Sequence, residues 1–177
     1  MSNEQQYPQF PDDSARSDRD AYLATTQQPP SIKTAVMLMR VGAALSVVGI
    51  LVALLTLNAL KDDIRQQLQD QGSTFSSSDL DSAFGVAVAF IIVVGLIGAA
   101  LWLWMASANG KGKSWARIVA TVLGVLNVLS FLYSISQGTT PALSLIVNAL
   151  NVIVGVAALV FLYRSDSSAY YQANSRR

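Results

Sequence analysis

Four long runs of apolar residues constrain this chain more than any other feature of its sequence. The first run, 41–60, contains twenty consecutive residues without a charged side chain. At about 1.5 Å per residue, a helix of this length covers roughly 30 Å, the thickness of the hydrocarbon core of a membrane. The four runs therefore predict transmembrane helices over approximately the following ranges: 41–60, 83–106, 115–136 and 141–163.

The composition agrees with a lipid environment. Hydrophobic residues make up 52% of the chain and charged residues 13%, whereas soluble domains carry about 25% charged residues. The predicted fold class is all-α, an integral membrane four-helix transmembrane bundle made of two hairpins. A net charge of +1 provides no broadly basic face for nucleic acid. The chain has no cysteine, which excludes disulfides and thiolate ligands.

Lys and Arg residues are divided unequally between the two predicted sides of the membrane. Ten of the twelve lie in the two tails, in the loop between the second and third runs, or at the helix ends beside them; only Lys61 and Arg65 lie on the opposite side. The positive-inside rule therefore predicts that both termini are cytoplasmic. The chain divides into a disordered cytoplasmic tail, a four-helix domain with an extracytoplasmic hairpin at 61–82, and a cytoplasmic C-terminal tail: 1–31, 32–164 and 165–177.

Polar residues that commonly cap helices precede the predicted spans. Such residues satisfy backbone N–H groups at a helix start, and proline is favoured at the first helical position. We also expect 61–71 to continue the first helix beyond the membrane until Gly72. The predicted caps, in chain order, are Ser31, the Ser78–Asp81 capping box, Ser114, and Thr140 followed by Pro141.

A short basic loop flanked by tryptophans joins the second and third runs. The rings of Trp102, Trp104 and Trp115 are expected in the headgroup layer, where amphipathic aromatic side chains are enriched. Basic residues at the inner face are candidate contacts for anionic lipid headgroups. These candidate contacts are Lys111, Lys113, Arg117 and Arg40.

Small and polar residues recur at helical spacing along each run, as expected where membrane helices pack closely. Asn127 and Asn151 each lie about ten residues from the outer end of a helix, which places both roughly 15 Å deep. Each lies on such a stripe, beside Gly124 and Gly155. We predict that the two amides hydrogen-bond across the helix seam, with Asn148 nearer the outside. The alternative is that the stripes line a polar path.

Two other features suggest ligand binding, but each lacks part of the pattern that such a site requires. Gly112-Lys113-Ser114 imitates the end of a phosphate-binding loop, but Ser107 replaces the first required glycine and a membrane helix precedes the loop. Five aspartates between 62 and 81 carry the oxygen ligands that hard cations prefer. They are spaced along helix ends without a glycine-bearing ligand loop, which favours solvated charge. We therefore predict no cofactor and no metal.

Several segments resemble a known group of membrane proteins. They are KTAVMLM at 33–39, WLWMA at 102–106, NG at 109–110, SWARIVATVL at 114–123 and SSAYY at 167–171. Over about 31–171 the chain resembles an actinobacterial family of small four-helix integral membrane proteins with a polar N-terminal tail and a tryptophan-flanked basic cytoplasmic loop. The resemblance implies a bacterial cytoplasmic (inner) membrane location. It carries over no functional residue, because the family has no assigned activity.

Three functional classes compete. The first choice is a non-enzymatic accessory or scaffold subunit of a larger inner-membrane assembly; its partners would be membrane lipids and a membrane protein or second copy, not nucleic acid. The alternative is a small transporter or channel, or a lipid-binding membrane protein. Transport pathways usually contain carboxylates, histidines or broken helices, and the predicted spans contain no Asp, Glu or His. An enzyme is weakest, since the spans lack the usual acid–base groups.

Overall fold

All regular secondary structure in the described part of the chain is helical. The computed structural model describes residues 27–72, 74–138 and 140–175, and these residues form helices and no strand. The predicted disordered tail lies outside this part except for 27–31. The helices are α1 Pro30–Leu55, α2 Leu57–Asp70, α3 Ser77–Gly110, α4 Ser114–Gln137, α5 Ala142–Leu162 and α6 Ser165–Ser175.

Four of these helices, α1, α3, α4 and α5, are long and apolar enough to cross a membrane. Most of their apolar side chains face outward, and only 6% of the most apolar window of α3 is buried. Val86, Phe90 and Ile118 are each exposed by 66% or more. Soluble monomers rarely expose apolar surface on this scale. The all-helical prediction is confirmed, and the surface is compatible with a multi-pass membrane protein.

Helix α1 occupies the centre of the arrangement. It packs along α3 on one side and along α5 on the other, and α4 packs mainly on α5. Although α3 and α4 are consecutive in the chain, they make fewer contacts with each other than α4 makes with α5. Helices α3 and α5 are therefore closely packed on α1, and the arrangement is more open between α3 and α4.

Glycines allow several close approaches between the long helices. A Cβ atom on Gly42 would lie 2.8 Å from the ring of Trp102, and one on Gly95 would lie 2.5 Å from Ile50. Small residues permit such close packing in membranes. Gly85, also on α3, is different: a Cβ there meets nothing within 4 Å.

The capping box before α3 is not the predicted pair of Ser78 and Asp81. Asp79 donates its backbone N–H to Ser76 Oγ at 3.2 Å, and Ser76 donates its backbone N–H to Asp79 Oδ2 at 2.8 Å. The helix begins two residues earlier than expected, so the third helical position falls on Asp79. Asp81 instead accepts a hydrogen bond from Lys61 Nζ at 2.6 Å.

The other predicted caps also differ from the structure. Helix α1 begins before Ser31, whose buried hydroxyl meets that of Ser167 at 2.6 Å. Helix α4 begins at Ser114 itself, and α5 begins after Pro141, while Thr140 Oγ1 lies 2.8 Å from Ser134 Oγ. The residues that immediately precede α1, α4 and α5 make no side-chain capping hydrogen bond; they are Pro29, Lys113 and Pro141.

The first helix is not continuous beyond the apolar run. Thr56 separates α1 from α2, and its hydroxyl donates to the carbonyl oxygen of Val52 at 3.1 Å. Threonine side chains that bond to backbone carbonyls in this way compete with the helix ladder and often bend it. Residues 61–70 are helical as expected, but they belong to the separate α2, which has no buried residue.

The polar segment after residue 164, predicted as a simple tail, contains a helix. Helix α6 contacts α1, α4 and α5, at the end where α1 begins and α3 meets α4. Tyr170 and Tyr171 are only 7% and 4% exposed. We call this end of the molecule the basic end, because Lys33, Lys111 and Lys113 lie there. The prediction missed α6 because its composition is polar and it is buried on only one side.

Replacing Gly42 with Ala should destabilise the protein by about 1–3 kcal/mol, because the added Cβ must displace the rigid Trp102 ring. Gly85→Ala is the matched control, since that site has open space. It should be neutral or stabilising by up to about 1 kcal/mol, because alanine is the better helix former. Unfolding of both variants in mild detergent measures the difference, and equal stability would contradict the close approach of Trp102.

Candidate functional site

Two asparagines link three of the long helices. Asn127 Nδ2 on α4 donates to Asn151 Oδ1 on α5 at 3.2 Å. Asn151 Nδ2 in turn donates to the backbone oxygen of Gly42 on α1 at 3.4 Å. The first bond is the contact that the depth and spacing of the two asparagines predict. Nothing in the sequence indicated the second, because a sequence pattern does not show which carbonyl an amide will face.

A cleft lies beside these hydrogen-bonded asparagine amides, between the four long helices. Its volume is about 600 Å³, and the described residues that line it include no acidic or basic side chain. Neutral polar side chains from α1, α4 and α5 form part of its wall, and we call it the polar cleft. These polar residues are Ser46, Asn127, Ser130, Ser134, Ser144, Asn148 and Asn151.

The polar side chains of the cleft differ in how well they are satisfied. Ser46 Oγ donates to the backbone oxygen of Gly42 at 3.0 Å, and Ser134 Oγ meets Thr140. By contrast, the side chains of Ser130, Ser144 and Asn148 make no hydrogen bond to any residue that the structure describes. Asn148, predicted to lie nearer the outside than the Asn127–Asn151 pair, lines the cleft.

Trp102 points inward and lies at the side of the polar cleft. Its ring lies against Gly42, and a Cβ on Gly155 would lie 3.4 Å from it. The ring also borders a second, mostly apolar cavity of about 220 Å³. Trp102, Met105, Ala106 and Asn109 follow the i, i+3, i+4, i+7 spacing of one helix face. This spacing was the signal that Trp102 points inward.

The other two tryptophans stay on the outside. Trp104 and Trp115 are 53% and 41% exposed, and their ring centroids are 5.4 Å apart. They lie near the loop between α3 and α4, which is only three residues long, 111–113. Their exposure is compatible with the headgroup-layer prediction, whereas the ring of Trp102 lies between helices.

A buried polar cluster closes the basic end. Asn109 is fully buried; its amide nitrogen donates to the Met105 backbone oxygen at 2.9 Å, and its Oδ1 accepts from the Tyr171 hydroxyl at 2.7 Å. The Tyr170 hydroxyl donates to the Gly110 backbone oxygen at 2.9 Å. Burial raises the pKa of both tyrosines, so their hydroxyls remain protonated donors at neutral pH. The sequence analysis missed all three side chains of this cluster.

The predicted lipid contacts occupy two kinds of position. Arg117 is half-buried; its guanidinium donates to Ser168 Oγ at 3.0 Å and lies 4.4 Å from the ring centroid of Tyr163. Lys111, Lys113 and Arg40 are exposed. Arg117 thus holds α4 to α6, which is a structural role that the charge count did not indicate. Contact of the three exposed cations with lipid stays a prediction.

The aspartates at the other end do not form a metal site. Among residues 27–72, 74–138 and 140–175, no group of three or more carboxylates is placed to hold a metal ion. Asp62 accepts a hydrogen bond from Arg65 at 2.7 Å, Asp79 caps α3, and Asp81 pairs with Lys61. Solvent exposure makes each of these ion pairs weakly stabilising.

Asn127→Leu and Asn151→Leu should show a coupling free energy of about 0.6 kcal/mol, and at most roughly 1.7 kcal/mol, in a double-mutant cycle on unfolding in detergent. Asn151→Leu should cost more than Asn127→Leu, since it also removes the bond to Gly42. Asn148→Leu is the control, because its amide has no described partner, and it should combine additively with Asn127→Leu. Additivity of the Asn127 and Asn151 variants would contradict the pair.

Comparison of the chain with protein-family models, with curated proteins and with solved structures gives no match. What the protein does must therefore be inferred from its own residues. Those residues form two polar features inside the helical arrangement, the polar cleft and the closed cluster at the basic end, and a charged, amphipathic α2 at the opposite end.

Proposed function

We propose that the protein is a non-enzymatic accessory or scaffold subunit of a larger assembly in the bacterial cytoplasmic membrane, which it crosses four times with both termini inside. The four apolar helices and the concentration of Lys and Arg at the basic end support this placement. The resemblance to small actinobacterial membrane proteins is the ground for assigning the bacterial inner membrane.

Helix α3 is longer than a membrane requires. Its 34 residues correspond to a length of about 51 Å, against roughly 30 Å of hydrocarbon. With the basic end at the inner face, the first turns of α3 extend beyond the outer face, beside α2. We call residues 57–84 the projecting hairpin. The Lys61–Asp81 ion pair connects its two arms.

The observation that carries the proposal is an apolar stripe on α2 that this chain covers only in part. The stripe consists of Leu57, Leu60, Ile64 and Leu68, spaced as on one helix face, and each is half-buried. None of the residues of α2 is buried, although α2 contacts α3. In the proposed orientation the stripe lies outside the hydrocarbon. Exposed apolar surface in a polar surrounding is typical of a protein contact.

The chemistry of the interior supports a non-enzymatic role. The described residues that line the polar cleft offer hydroxyl and amide groups and neither carboxylate nor amine. General acid–base catalysis near neutral pH relies on groups that exchange protons in this range. Ser and Asn side chains do not, so the cleft is suited to holding a molecule by hydrogen bonds.

Cysteine labelling tests the proposed topology, because the chain contains no cysteine. Gln69→Cys should react with a membrane-impermeant maleimide in intact cells. Lys111→Cys should react only after the cells are disrupted, and both residues are exposed in the structure. Reaction of both cysteines in disrupted cells is the control for reactivity. Labelling of Lys111→Cys in intact cells would contradict the orientation.

The partner is tested through the stripe on the projecting hairpin. Ile64→Glu with Leu68→Glu should convert the protein from a high-mass complex to its free form in native gels of mildly solubilised membranes, because charges on the stripe oppose apolar contact. Gln66→Glu with Gln69→Glu adds the same charge to exposed positions of α2 and should leave the complex intact. Unchanged migration of the stripe variant, or wild-type protein without a complex, would contradict the scaffold proposal.

A further inference from the structure

We infer that the polar cleft binds the headgroup of a neutral, hydroxyl-bearing membrane lipid, of the diacylglycerol or glycosyl-diacylglycerol class. Its acyl chains would leave through the open side between α3 and α4. This inference rests on the proposed membrane insertion and is independent of the partner that binds the projecting hairpin. It is carried by the position, charge and shape of the cleft.

The unsatisfied polar groups of the cleft lie at hydrocarbon depth. Asn148 is six residues into α5, about 9 Å from its start, and Ser130 is seven residues from the end of α4, about 10 Å away. Neither side chain bonds to a residue that the structure describes. A polar group without a hydrogen-bond partner is costly in hydrocarbon. A bound molecule with its own polar groups would remove this cost.

The lining determines the chemistry of that molecule. A charged group in the cleft would meet no counter-charge among the described lining residues, which disfavours a phosphate headgroup. Serine hydroxyls and asparagine amides both donate and accept hydrogen bonds. The matching ligand therefore carries several neutral hydroxyl groups, as glycerol and sugar headgroups do.

The remaining wall favours a lipid over a water-soluble polyol. Apolar side chains share the cleft with the polar ones, among them Phe90, Val94 and Val147. A volume of about 600 Å³ lies within the range of small-molecule sites, roughly 300–1,000 Å³. The weak packing of α3 on α4 leaves an exit toward the bilayer for acyl chains. Trp102 borders the cleft and reports on its occupant.

The test uses Trp102 fluorescence in the full chain. Trp104→Phe with Trp115→Phe leaves Trp102 as the single tryptophan, since the chain has three. The protein in detergent is titrated with diacylglycerol and with phosphatidylglycerol that carry the same dibrominated acyl chains, because bromine quenches tryptophan on contact. Diacylglycerol should quench saturably, at a half-saturating mole fraction about ten-fold below that of phosphatidylglycerol, because the phosphate charge would meet no counter-charge in the cleft.

Two variants assign the effect to the cleft. Ser144→Ala with Asn148→Leu should raise the half-saturating fraction of diacylglycerol about ten-fold, and the fold is preserved because neither side chain bonds to a described residue. Asn58→Leu with Ser78→Ala, on the projecting hairpin, should change nothing. Three results would each overturn the inference. They are equal quenching by both lipids, an unchanged half-saturating fraction in the cleft variant, and free glycerol that competes with the brominated lipid as strongly as diacylglycerol does. Failure of the Gln69 and Lys111 labelling pattern, in contrast, would overturn the insertion itself.

Discussion

Gly42 on α1 is the point at which three helices meet, and the rest of the arrangement depends on it. The missing side chain lets the Trp102 ring of α3 lie against the helix backbone, where a Cβ would approach it to 2.8 Å. The carbonyl oxygen of the same residue accepts a hydrogen bond from Asn151 on α5. Because α3 and α5 both pack on α1 at this level, α1 is the central helix, and α4 packs mainly on α5. The opening between α3 and α4 follows from the central position of α1.

The same opening links the two proposals. A helix arrangement closed on all sides would need only apolar and small residues inside, whereas this one places hydroxyls and amides beside a gap. Those side chains add little to the contacts between the helices, because several of them bond to no described residue. Their presence is explained if a third molecule completes the interior. The projecting hairpin then carries the protein–protein contact at a separate site, so lipid and partner do not compete for one surface.

Periodicity and charge predicted the parts of the structure that depend on one helix at a time. Apolar runs located the four long helices, and the shared depth of Asn127 and Asn151 predicted that these amides would meet. The features that depend on which faces meet were harder to predict. Tryptophan is a residue type typical of the headgroup layer, yet Trp102 shares a helix face with buried residues at positions i+3 and i+4 and therefore points inward. The sequence of helix α6 has the composition of a polar tail, and among its residues 165–174 only Ser167, Tyr170 and Tyr171 are buried. The cap of α3 was misplaced because three consecutive serines, 76–78, precede two aspartates within a few positions.

The closed cluster at the basic end has a consequence for how the protein is made. Asn109 is buried with its amide oxygen bonded to Tyr171, a residue 62 positions later in the chain. Until Tyr171 has been synthesised, the Asn109 oxygen lacks its hydrogen-bond partner from α6. At that stage the ends of α1, α4 and α5 also lack the helix that contacts all three. The long helices can therefore form in order, but their ends at the basic end are held together only after α6 has been synthesised. A chain truncated before α6 would leave the Asn109 amide oxygen without the Tyr171 hydroxyl that it accepts from.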